Sequence, residues 1–206
     1  RRQGRAGEGC LLDQPEPWAP PPSLPLPSQE EGPKATARGC RRSYRCSAVR
    51  ASLFAAARAC LDVASPDAKV VATFAAAEAF ARGELTVDDD APAPEPIRMP
   101  GRPPRPRLVH PRDLPRRGFG TPEGRAAFIH SIAHIEFNAI DLGWDAVYRF
   151  RGMPAGFYAD WVSVASDEAR HFTMLRGRLR EFDHDYGDFD AHNGLWEMCE
   201  KTAHDG

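Results

Sequence analysis

The chain has 206 residues, 42% of them hydrophobic, which is enough to bury one core of ordinary size. No run of 18 apolar residues occurs and no apolar stretch follows the basic N-terminus, which predicts neither a transmembrane helix nor a secretory signal. The five cysteines form no C-x-x-C pair, which argues against a zinc ribbon and against a secreted disulfide scaffold. We therefore expect a cytoplasmic protein with reduced thiols.

The net charge of −2 hides an asymmetry, since residues 1–122 carry 19 basic and 14 acidic side chains and residues 123–206 carry 8 and 15. Proline is distributed just as unevenly, with eight of the 20 prolines between Pro15 and Pro33 and ten between Pro92 and Pro122. Proline-rich segments separate helical ones. The predicted organisation is a disordered or non-native extension (1–45), a helical hairpin (48–83), a Pro/Arg-rich linker (84–120) and a helical bundle domain (121–206).

The hairpin is predicted from an alanine-rich segment, 48–64, followed by Ser65-Pro66-Asp67, which has the composition of a helix N-terminus. The second helix should run from Pro66 to Arg82 and stop at Gly83. Its apolar stripe is expected to consist of Val70, Phe74, Ala77 and Ala81.

The linker carries seven arginines between residues 91 and 117, alternating with prolines in a pattern typical of an extended polyproline-like path. Such a basic segment could bind nucleic acid. It lacks interleaved aromatic residues, however, which favours a solvated linker.

Thr121-Pro122-Glu123 predicts the start of a long helix that runs to about Arg151, because it combines an N-cap, a proline at the first helical position and an acid in the first turn. A second long helix should run from about Ala155 to Phe182. An acidic loop, 183–190, follows, and a last helix should begin near Ala191.

Each long helix has an apolar seam that is interrupted by ionisable side chains. On the first helix Glu136 is the exception within the stripe Ile129, Ala133, Glu136, Ile140, Gly143, Val147 and Phe150. On the second helix the exceptions are Glu168 and His171, one turn apart, within Phe157, Trp161, Val164, Glu168, His171, Leu175, Leu179 and Phe182. Ala133 and Gly143 would allow the two helices to approach closely.

Glu136 and Glu168 should lie at the same depth of an antiparallel helix pair. Glu136 lies 15 residues before Arg151 and Glu168 lies 14 residues after Pro154, or roughly 21–23 Å along each helix. Buried carboxylates are unfavourable without a partner, and a divalent cation is a good one. Oxygen and nitrogen ligands without thiolate favour iron or manganese, with zinc less specific.

The sequence also allows interpretations of these residues that need no metal. An isolated E-x-x-H is common on helices, and a buried Glu could pair with Arg170 or with the histidine itself. His130 and His134 have the spacing of an H-E-x-x-H zinc motif but lack its glutamate, since Ser131 occupies that position, so a polar helix face is favoured. Glu200 and His204 are likewise favoured as a solvated pair.

The runs RAAFIHSIAHIEFNAIDLGWDAVYRF, FYADWVSVASDEARHF and YGDFDAHNGLWEMCEKTAHD resemble the ferritin-like bacterial family known as domain of unknown function 455. The resemblance covers roughly residues 48–205 and is strongest from Leu114 to Asp205. It implies an all-α, ferritin-like four-helix bundle that is incomplete at its C-terminus. More distantly, these helices are similar to those of non-haem di-iron tRNA hydroxylases.

The resemblance implies that Glu136, Glu168 and His171 are metal ligands. Apart from the resemblance, we expect His134 and Asp141 to contact these ligands. Further ligands would follow Gly206 in a complete family member, so the chain is expected to be a fragment. The implied cofactor is two iron ions in the complete protein, with manganese as the alternative. A homodimer that completes the bundle would also supply the missing ligands.

The function expected from this resemblance is oxidation or hydroxylation of a substrate by dioxygen at a carboxylate-bridged dimetal centre. The sequence identifies neither the substrate nor the electron donor. RNA is a candidate substrate by family analogy alone. Two other classes compete with this expectation. One is a ferroxidase or other iron-handling protein, and the other is a metal-free helical interaction module.

Overall fold

Two long helices dominate the structure, and a shorter helical hairpin packs on them. The computed structural model describes residues 51–88 and 90–203. Its long helices are α3 (Pro122–Arg149) and α4 (Ala155–Arg180), and the hairpin consists of α1 (Leu53–Asp62) and α2 (Pro66–Ala81). A last helix, α5 (Gly194–Lys201), packs against α3. The predicted all-α class is confirmed, while the prediction for residues 1–45 lies outside the described residues.

The helix starts follow the local signals in the sequence. The Ser65 side chain accepts a hydrogen bond from the backbone N–H of Ala68 at the start of α2, and Thr121 Oγ1 accepts one from Gly124, at 3.0 Å, at the start of α3. Each cap precedes a proline at the first helical position, where a missing N–H has no cost. Both long helices end two residues before their predicted limits.

The hairpin is part of the same packed unit as the long helices, because α1 packs against α3 and α2 against α4. Two-residue parallel strands, β1 (Ala51–Ser52) and β2 (Leu85–Thr86), join the two ends of the hairpin. The predicted stripe of α2 is wrong: Phe74 is 37% exposed, whereas Lys69 and Thr73 are fully buried. The reason is polar pairing, since Lys69 binds Asp141 and Thr73 Oγ1 accepts from the Trp144 indole at 3.0 Å.

The predicted solvated linker is correct in part, since six of its seven arginines are exposed, but part of its backbone is held against the helices. Gly101 donates its N–H to the Leu61 carbonyl at 2.7 Å, and a Cβ at this position would lie 2.4 Å from the Asp62 carbonyl oxygen. The Arg98 carbonyl accepts from the Trp196 indole at 2.9 Å. Residues 95–109 therefore form a strap across the bundle.

The strap also explains why α5 starts three residues later than predicted. The backbone of Ala191 accepts a hydrogen bond from Val109 and donates one to the Arg107 carbonyl, at 2.8 and 3.1 Å. This short parallel bridge keeps Ala191 extended, so the helix begins only at Gly194. Among the described residues, no helix combines the length and hydropathy needed to cross a membrane.

Candidate metal centre

The turn between the long helices fixes their relative depth. Gly152 adopts a positive φ of 67°, a conformation that glycine tolerates without steric cost. The buried Tyr158 hydroxyl donates to the Phe150 carbonyl at 3.0 Å and accepts from the Met153 N–H at 3.2 Å. One side chain on α4 thus holds both ends of the turn, which leaves little freedom for α3 to slide along α4.

Small residues bring α3 and α4 close together. Ala133, Ala165 and Ala169 are fully buried between the two helices. A Cβ added at Gly143 would lie 2.9 Å from the Ala165 Cβ and 3.1 Å from its Cα, so glycine is required at this crossing. This close approach lets short carboxylate side chains on the two helices reach each other.

Glu136, Glu168 and His171 meet at the depth that the sequence predicts. One ligand atom from each lies within 4.8 Å of the other two. The Nδ1 atom of His171 is 3.2 Å from a Glu168 oxygen and 3.7 Å from a Glu136 oxygen. The two carboxylate side chains are about four-fifths buried, while His171 is 47% exposed, so the cluster lies at the edge of the helix interface.

This environment stabilises the protonated form of Glu136. Burial raises its pKa from the usual 4.5 to about 7, helped by the hydrogen bond and the like charge of Glu168 and opposed by His171. A carboxyl group that holds a proton near neutral pH beside a second carboxylate can exchange that proton for a cation.

The raised pKa of Glu136 predicts that this residue's own contribution to the stability of the metal-free protein falls as the pH rises from 4.5 to about 7. In this interval the folded state keeps a proton that the unfolded state has released, so deprotonation favours unfolding. The measurement is urea denaturation across this pH range in the presence of a chelator. Glu136→Gln, which cannot ionise, should become more stable relative to the wild-type protein as the pH rises through this interval, and parallel profiles for the two proteins would contradict this origin.

The donor set suits a hard or borderline divalent metal. Two carboxylates and one imidazole, with no thiolate, match iron or manganese better than metals that prefer sulfur. Three protein donors fill about half of an octahedral coordination shell.

An apolar surface surrounds the cluster on its open side. Ile132, Met174 and Leu175 border the same depression as Glu136 and His171. Met174 is 59% exposed and Val164, one turn before Glu168, is 38% exposed. We call this apolar surface the open face, defined by Ile132, Ile135, Val164, Met174 and Leu175.

His134 and Asp141, expected to contact the ligands, belong to a different network on the far side of α3. His134 Nδ1 is 2.9 Å from the Tyr186 hydroxyl and its Nε2 is 3.0 Å from the His192 carbonyl. Asp141 pairs with the fully buried Lys69. No polar contact joins either residue to Glu136, Glu168 or His171 within the part of the chain that the structure describes.

Sequence reasoning missed most of this buried network. Arg102, from the strap, donates to the Asn138 side chain at 2.6 Å and lies 3.6 Å from Asp141, and the Asn138 amide donates to the His134 carbonyl at 2.6 Å. The partners of Arg102 and Lys69 on α3 are 36 and 72 positions away along the chain. The one sequence signal for this network is Lys69, an isolated lysine in an otherwise apolar helix.

The other candidate metal residues have protein partners. His130 Nε2 accepts from the Gly187 N–H at 2.9 Å, which accounts for its burial, and burial lowers its pKa to about 4. Arg170 pairs with Asp167 at 2.6 Å, so it is not the partner of Glu168. Cys60 and Cys199 are free thiols, and Cys10, Cys40, Cys46 and His204 lie outside the described residues.

Comparisons with known proteins place the chain in a family. It is 50% identical over 110 residues to an uncharacterised protein of Haemophilus influenzae, covering 50% of this chain and 38% of that relative. The chain therefore spans well under half the length of that relative. No solved structure matches it. Residues 62–206 match the family described as "Protein of unknown function (DUF455)", and the chain belongs to this family.

Proposed function

We propose that Glu136, Glu168 and His171 bind a divalent metal, iron before manganese, as part of a ferritin-like dimetal centre that serves oxidation of a substrate by dioxygen. When bound, reduced iron would supply the activation of dioxygen. Glu136 and Glu168 would be carboxylate ligands, one of them bridging, and His171 the nitrogen ligand.

The observation that carries this proposal is the meeting of the three ligand atoms within 4.8 Å from two separate helices. A structural ion pair would not need a second carboxylate, which repels the first and helps raise the Glu136 pKa. A divalent cation relieves that repulsion, and it displaces the proton that Glu136 otherwise keeps. Without a metal, the paired carboxylates therefore lower the stability of the fold. A bound metal would make the same cluster stabilising.

The proposal includes a partner for the open face. One copy supplies two carboxylates and one imidazole, and four-helix dimetal proteins use about twice that set. A second copy packed through the open face would double the donors by two-fold symmetry and cover the apolar side chains. RNA as the substrate rests on the family resemblance alone.

The test is metal content by plasma mass spectrometry combined with light scattering. We expect the iron-loaded chain to be a dimer with about two metal ions per pair of chains. Glu136→Ala/Glu168→Ala should abolish the uptake. The matched control is Glu123→Ala/Asp160→Ala, which removes one exposed carboxylate from each of the same helices and should leave the uptake unchanged.

Equal metal content in the two double variants would refute the site. A loaded species that stays monomeric at high concentration would refute the second copy as the partner and leave the metal ligands standing.

The exposure of His171 also suits an iron-handling role, in which Fe(II) is itself the substrate and must reach the site from solvent. Such a protein consumes Fe(II) and dioxygen alone, whereas a hydroxylase also needs a reductant and an organic substrate. If the protein is instead a metal-free helical module, Glu136→Leu/Glu168→Leu should stabilise the fold, because it removes partly buried charge. Metal content would then be the same in the variant and the wild-type protein.

A further inference from the structure

Tyr186 and His134 form a largely buried hydrogen-bonded pair in the network on the far side of α3. The Tyr186 hydroxyl lies 2.9 Å from His134 Nδ1, and His134 Nε2 lies 3.0 Å from the His192 carbonyl. A carbonyl only accepts, so the imidazole hydrogen must be on Nε2. Nδ1 is therefore a free lone pair, and the Tyr186 hydroxyl donates to it.

The Tyr186 ring packs against two phenylalanine rings whose residues are next to candidate ligands in the chain. Its centroid is 5.2 Å from that of Phe137 and 5.0 Å from that of Phe172, and the two phenylalanine rings are themselves 5.2 Å apart. Phe137 follows Glu136 in the chain, and Phe172 follows His171. These contacts connect the phenol to both ligand helices through packed rings.

We propose that Tyr186 is a redox-active residue that supplies one electron to the metal centre after dioxygen has oxidised it. This inference rests on the proposed function. Tyr186 loses one electron to the oxidised metal and its hydroxyl proton to Nδ1 of His134. The products are a neutral tyrosyl radical, an imidazolium at His134 and a metal centre reduced by one electron, so charge and atoms balance.

The position of the proton acceptor distinguishes Tyr186 from the other tyrosines that the structure describes. The Tyr158 hydroxyl donates to a backbone carbonyl, which does not take up a proton, and the Tyr148 hydroxyl accepts from the Glu95 N–H at 3.0 Å. Burial raises the Tyr186 pKa, so the phenol is protonated before oxidation. Without a base in contact, oxidation of a buried phenol would leave a buried positive charge, which is costly.

The first experiment tests Tyr186 without any metal. Metal-free protein is oxidised by photogenerated ruthenium(III) tris(bipyridine), frozen and examined by electron paramagnetic resonance, with ring-deuterated tyrosine to assign the radical. We expect a tyrosyl signal that is lost in Tyr186→Phe and kept in Tyr148→Phe. A signal that survives in folded Tyr186→Phe would overturn the proposal, as would its absence from the wild-type protein.

The second experiment adds Fe(II) and then dioxygen to the wild-type protein and to Tyr186→Phe. We expect the same tyrosyl signal in the wild-type protein only. Iron uptake and oxidation, followed by optical absorption, without this signal would overturn the role of Tyr186 and leave the metal site intact. Failure to take up iron would overturn the proposed metal centre and the electron path together.

Discussion

Replacing Asp141 by leucine should cost about 3–5 kcal/mol of unfolding free energy, because it leaves the Lys69 ammonium buried without its counter-ion. Both side chains are completely buried, and Lys69 has one further polar contact, to the Leu61 carbonyl at 3.3 Å. Lys69→Met should cost less, since Arg102 lies 3.6 Å from Asp141 and remains as a cation beside it. Urea denaturation measures both changes.

The double variant Lys69→Met/Asp141→Leu should recover most of the loss, because it leaves neither charge of the pair in the core. An exposed pair is the matched control. Glu78 and Arg82 are one turn apart on α2 with side chains 71% and 50% exposed, so Glu78→Ala should change stability by no more than about 0.5 kcal/mol. A cost for Asp141→Leu no larger than this would show that the buried pair does not hold the hairpin on α3.

The elements predicted correctly are those with local signals. Thr121 and Pro122 mark the start of α3 through a hydrogen bond that spans three residues, and the short break at Gly152 dictates an antiparallel pair. Once both helices and the turn are known, the spacing of Glu136 and Glu168 from that turn places them opposite each other. The meeting of the three candidate ligands thus follows from helical geometry alone.

The features that were missed depend on pairing between distant segments. A rule that seeks apolar stripes rejects a face containing Lys69 and Thr73, although tertiary partners bury both. The strap was predicted to be solvated because proline and arginine are usually exposed. In the structure, however, Arg102 pairs inside the bundle and Gly101 packs against α1. Nothing in the local sequence around Tyr186 indicates that its hydroxyl reaches His134, 52 residues earlier.

The helix crossing at Gly143 ties the fold to the candidate site. Gly143→Val should destabilise the protein by about 2–3 kcal/mol, since its side chain has no room against α4. The clash is with backbone as well as side chain: the added Cβ would lie 3.1 Å from the Ala165 Cα and 3.2 Å from its nitrogen. Relief requires α3 and α4 to separate, which moves Glu136 away from Glu168. Iron uptake, measured under conditions where circular dichroism shows the variant folded, should fall as well.

Two further variants show that the cause is the crossing and not the loss of a helical glycine. At Gly177, on α4, a Cβ would meet nothing within 4 Å, so Gly177→Ala should raise stability by about 0.5–1 kcal/mol through helix propensity. Gly143→Ala should lower stability despite the same gain in propensity. Adding Ala165→Gly should restore part of the stability and of the iron uptake, because it removes the 2.9 Å contact with the Ala165 Cβ and leaves the contacts with its backbone. If Gly143→Ala instead behaved like Gly177→Ala, close packing at this crossing would not be what brings the carboxylates together.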